Sequence, residues 1–72
     1  MNDDDFKLIA DLVSECRRRS KFHAIRADRL EELFQHTGNV FLLNARMHEA
    51  KRAKEFADRA DRMLADLPLV KL

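Results

Sequence analysis

Seventy-two residues hold one domain at most, and 38% of them are charged although the net charge is only +1. One glycine, one proline, no tryptophan and no tyrosine leave too little turn chemistry for a β-fold, and a single cysteine excludes any disulfide within the chain. No run approaches the roughly 18 to 20 apolar residues that span a bilayer, and the acidic opening "MNDDDF" is the reverse of a secretory leader. The chain reads as an all-α protein, cytoplasmic, with Cys16 suited to a reducing compartment.

In chain order, the first element is announced by Asn2 and the aspartates Asp3, Asp4 and Asp5, which suit a helix start and its dipole. Phe6, Ile9, Val13, Cys16, Ser20, His23, Ala27, Leu30 and Phe34 then step alternately by three and four, an unbroken heptad seam. This predicts a helix from about residue 3 to about 36, with a kink conceivable at 18–21, where the seam residues are weak. The stretch "QHTGN" is the one strong break. Gly38 suits a left-handed C-cap, and Thr37 or Asn39 suits the next N-cap, giving a turn at 37–39.

The second helix is expected over about 40–67, stopped by Pro68, with a short tail at 68–72. Its apolar stripe is phased on Leu43, Ala50, Ala57 and Leu64, flanked by Ala53, Ala60 and Leu67 and widened by Met47, Phe56 and Met63. A tight turn between two long helices predicts an antiparallel helical hairpin forming a single domain over 1–72. Two helices side by side bury little, and the stripe is wider than one neighbour covers. The expected architecture is therefore a homodimer of hairpins, a four-helix bundle, with a helical protein partner as the other way to cover the stripe.

Two surfaces are candidates for binding. The protein-binding set is Phe22, Ile25, Leu43, Met47, Ala50, Ala53, Ala57, Ala60 and Leu64; Phe22 and Ile25 fall off the seam on a shared outward face. The alternative is a nucleic-acid surface. Residues 17–30 carry six bases against one acid, and the second helix would bring further bases opposite them. That set is Arg17, Arg18, Arg19, Lys21, Arg26, Lys51, Arg52 and Arg59. The arginines of the first helix surround it instead of forming a stripe, only Phe22 stands near them as a stacking ring, and Glu55, Asp58 and Asp61 interleave with the later bases. A solvated, salt-bridged face is the expected reading.

Three further positions stand out. His23, in the weak middle of the seam, reads as a hydrogen-bonded core histidine, and Arg46, inside the apolar arc, reads as the partner of Glu31 or Glu32. Glu32 and His36, with His48 and Glu49 across the turn, fall short of a metal site, so no metal or cofactor is expected. There is no glycine-rich phosphate loop, and Ser14, Ser20 and Cys16 have no arranged base, so no catalytic residues and no small-molecule substrate are expected. The sequence thus points to a small non-enzymatic interaction module, an adaptor, co-chaperone or regulator, with an RNA- or DNA-binding regulator as the alternative.

Overall fold

A computed structural model describes residues 3–65. It is all-helical: α1 spans Asp3–Thr37 and α2 spans Val40–Ala65, packed against each other as a hairpin. The expected helix end at 67, the Pro68 stop, the tail at 68–72 and Asn2 as a cap lie outside the described residues. At about 1.5 Å per residue α1 alone is about 52 Å long, and the chain measures 53 × 17 × 14 Å. The helix is continuous through 18–21.

The turn forms as its residues require. Gly38 adopts φ 70° and its N–H donates to the Phe34 carbonyl at 2.7 Å, closing α1 through the left-handed cap. Thr37 Oγ1 donates to the Leu33 carbonyl and accepts from the Asn39 amide. Asn39 Oδ1 then accepts from the Phe41 amide at 3.0 Å, the N-cap of α2.

The α1 seam is the buried edge of that helix. Val13 and Ala27 are buried, Ile9, Cys16, Ser20, His23, Leu30 and Phe34 are half-buried, and only Phe6 is exposed. The seam of α2 differs from the expected stripe by one position. The residues that face α1 are Leu42, Arg46, Glu49, Ala53, Phe56, Ala60 and Met63, again stepping by four and three. Ala60 is 1% exposed, the most buried residue among those described. Leu43, Ala50, Ala57 and Leu64 fall immediately after seam positions and form a flank. The physical reason is that two seam positions are charged, so an apolar count places the stripe one residue late.

This core is thin. Among the described residues only Val13, Ala27 and Ala60 are buried, and no large side chain is fully enclosed. A compact chain of 8.5 kDa would expose about 4,700 Å²; this one exposes 5971 Å². Its radius of gyration is 16.4 Å against about 11 Å for a globule of this length.

A Cβ at position 38 would meet nothing within 4 Å, so the positive φ is the only obstacle to a side chain there. Gly38→Ala is expected to cost about 1–2 kcal/mol and Gly38→Asn less, since asparagine tolerates the left-handed region. Urea unfolding followed by helical circular dichroism measures both; an alanine variant as stable as the wild type contradicts the account.

Candidate functional sites on the two flanks

Across the seam the helices are tied by polar contacts concentrated near mid-hairpin. Ser20 Oγ donates to the Ala53 carbonyl at 2.7 Å. His23 Nδ1 lies 2.5 Å from Glu49 Oε2, with both side chains about 15% exposed. Arg26 Nε approaches the other carboxylate oxygen of Glu49 at 3.6 Å. The hydrogen bond from His23 is the largest influence holding the Glu49 carboxyl below its ordinary value; burial opposes it, and Arg26 and Arg52 add to it. An ionised carboxylate only accepts, so Nδ1 of His23 carries the proton in this contact. Nearer the turn, Arg46 Nε meets Glu31 Oε2 at 3.1 Å, both atoms sealed from solvent, the partly buried pair expected from the sequence.

These ties fix which residues share a side of the hairpin. Arg19, Arg26, Arg52 and Arg59 each stand immediately before a seam residue (Ser20, Ala27, Ala53 and Ala60), so all four fall on one flank. Contacts bear this out. The guanidinium of Arg19 lies 5.7 Å from the centre of the Phe56 ring on the other helix, and that of Arg59 lies 5.2 Å from the same ring. Arg26 lies 5.4 Å from the centre of Phe22. His23 stacks on Phe56 at 5.6 Å and meets Phe22 edge-on at 5.4 Å. The expectation of scattered arginines beside a single ring is therefore corrected: the two helices together make a stripe of arginines over Phe22 and Phe56. The signal was present in the seven-residue spacings 19–26 and 52–59, and becomes visible once α2 is phased on Ala53 and Ala60.

The remaining candidate bases stand elsewhere. Arg17, Arg18 and Lys21 are exposed on other sides of α1, and Lys51 lies at the edge of the stripe, in a shallow groove with Arg52, Phe56 and Arg59. Arg19 is paired with Glu15 at 2.8 Å. Arg52 and Arg59 reach no carboxylate within ion-pair distance among the described residues.

The opposite flank is apolar and small. A groove of about 330 Å³ runs over Ala24, Ala27, Ala50 and Ala53, with the Arg46–Glu31 pair in its wall. Leu43, Met47, Ala57 and Leu64 continue this side along α2, with Met47 63% exposed. Of the protein-binding candidates, Leu43, Met47, Ala50, Ala57 and Leu64 share this flank. Ala60, 1% exposed, packs in the hairpin's own seam, whereas Ala53 is a half-buried seam residue that also lines the groove. Phe22 and Ile25, 54% and 58% exposed, lie away from it on α1. Val40 and Phe41 at the turn are also exposed, a feature the sequence reading passed over.

The described residues bring no three His, Cys, Asp or Glu together as a metal could use, and Glu49 turns to His23 rather than to His48. No described helix is long and apolar enough to cross a membrane. Comparison with family models, with curated proteins and with solved structures finds no match to this chain.

The depressed Glu49 carboxyl has a defined sign. It contributes stability above its ordinary value of 4.5 and loses that contribution as pH falls through the lower folded value. Glu49→Gln is expected to destabilise the hairpin at about pH 7 and to converge on the wild type as pH falls below 4.5. Urea midpoints of both proteins across this range check it; a gap that stays constant with pH refutes the assignment.

Proposed function

We propose that the protein is a non-enzymatic interaction module whose alanine–leucine flank packs against other helices, first of all those of a second copy, to complete a four-helix bundle. The observation that carries this reading is the unfinished core. Three buried residues and no enclosed large side chain among the described residues go with about 1,300 Å² more surface than a compact chain of this mass exposes. A standard interface takes about 800 Å² from each partner, so one such contact fits within that surplus.

The two flanks are not equal candidates for this contact. Face to face, two arginine stripes would stack like charges. The opposite flank carries alanines that permit close approach, and the edge of exposed Met47 and half-buried Leu43 can seat in the alanine groove of the second copy. Charges of both signs border it, with Lys21, Asp28, Lys54 and Asp61 near its rims. An interface with a small-residue centre and a mixed polar rim is the composition helix packing uses.

Catalysis finds no support among the described side chains. The Ser20 hydroxyl is committed to the Ala53 carbonyl, and Cys16 is a half-buried seam residue. The reading is therefore of a binding protein, an adaptor, co-chaperone or regulator.

Light scattering after size exclusion tests it. The wild type is expected at about twice the mass of the 8.5 kDa chain. Met47→Lys with Ala50→Glu, both exposed in the hairpin, is expected to give monomers of reduced helix content. A wild type that is monomeric yet fully helical at about 100 μM would sink the proposal, because the hairpin would then need no cover.

A further inference from the structure

We infer that the arginine flank is a binding site for the phosphate backbone of single-stranded nucleic acid. The inference goes beyond the self-association reading and uses the opposite side of the hairpin, so it stands for one hairpin or two.

Four observations carry it. The antiparallel register interleaves the two seven-residue pairs. With Ser20 level with Ala53 and His23 level with Glu49, Arg59, Arg19, Arg52 and Arg26 follow one another along the axis, alternately from α2 and α1. They cover a strip of about 12 to 13 residues of α1, about 19 Å. Secondly, the flank is locally basic. The four arginines with Arg29, Arg62 and Lys51 beside them are seven bases against five acids, Glu15, Glu32, Glu49, Glu55 and Asp58, on a chain whose whole net charge is +1. Thirdly, Arg52 and Arg59 have no carboxylate within ion-pair distance among the described residues, and Arg19 and Arg26 keep side chains 59% and 55% exposed despite their pairs. Fourthly, Arg19, Arg26 and Arg59 lie against aromatic rings. A guanidinium held against a ring loses little further freedom when its outward N–H groups meet a phosphate, which it can grip with two parallel hydrogen bonds.

The form of the strip selects the ligand. One narrow row of cations on a straight rod follows one backbone, whereas a duplex groove would need an element that projects into it. The exposed Phe22 offers a surface on which a splayed base stacks. A carboxylate polymer would use the charge but neither the ring nor the closely spaced forks.

The test uses the full chain and a fluorescent oligothymidylate of roughly 20 nucleotides at about 50 mM salt, followed by anisotropy. Arg52→Glu with Arg59→Glu is expected to weaken binding at least tenfold. Arg18→Glu with Lys21→Glu, which changes net charge by the same amount on other sides of α1, is expected to change it by less than about threefold. The neutral pair Arg52→Gln with Arg59→Gln, gentler on the fold, is expected to lower the salt dependence by about 1.4 in log–log slope, from about −3 for four contacts. Three results would each overturn the inference: no binding by the wild type, equal losses from the two charge-matched double variants, or polyglutamate competing as well as unlabelled oligothymidylate. The Met47→Lys, Ala50→Glu variant separates the two readings, since a monomer that still binds through Arg52 and Arg59 leaves this inference intact while assembly is lost.

Discussion

The contact between His23 and Glu49, with Ser20 bonded to the Ala53 carbonyl beside it, sets the register on which everything else in this hairpin depends. The seam around it is small: Cys16, Ser20, Ala27, Ala53 and Ala60 are residues over which two helices could slide with little loss of apolar burial. Alanine against alanine discriminates poorly between one alignment and the next heptad. A histidine donor facing an ionised carboxylate discriminates well, because a slip leaves a half-buried Glu49 without its partner and the cost of desolvating it unrelieved. Arg46 against Glu31 repeats the device nearer the turn. The polar middle of the seam therefore contributes specificity of alignment more than depth of stability, and the thinness of the core is the other side of that choice.

Alignment in turn decides the character of the two flanks. With Ser20 level with Ala53, the arginines that precede seam residues on both helices fall together. The small and apolar residues that follow seam positions on α2 fall on the other side, beside Ala24. Shifted by a heptad, about 10 Å, the stripe would lose the overlap that brings Arg19 and Arg59 to the same Phe56 ring. The rings matter to this geometry. Phe56 is shared between the core, through His23, and the surface, through two guanidinium groups, so packing of the seam also orients the charges outside it.

Much of this was legible in the sequence. The α1 seam can be read directly, because all nine of its residues are apolar, small or a histidine with a partner, and a three–four step over nine positions has few competing explanations. Gly38 and Asn39 state the turn, and an arginine inside an apolar arc near two glutamates states the Arg46–Glu31 pair. The second seam was misphased by one residue because Arg46 and Glu49 occupy positions that a count of apolar residues expects to be hydrophobic. That single step assigned Ala53 and Ala60 to an outer interface and hid the kinship of Arg52 and Arg59 with Arg19 and Arg26. Pairing across helices, which a one-dimensional pattern does not contain, is what restores it: His23 needs an acceptor, and only a phase with Glu49 in the seam supplies one.

The two flanks also constrain each other. A hairpin with apolar surface on every side would associate without direction, as exposed stripes of leucine do. Here a row of like charges raises the cost of self-contact on one side, most at low salt, since charges this exposed are already partly screened at physiological ionic strength. The small residues lower that cost on the other. In the proposed assembly through the alanine groove the arginines would face outward, with their rings packed beneath them. The same charges that specify where copies of this chain should not meet are in this way kept available for an anion. The register contact at His23 and Glu49 lies in the seam between the two flanks and fixes the placement of both.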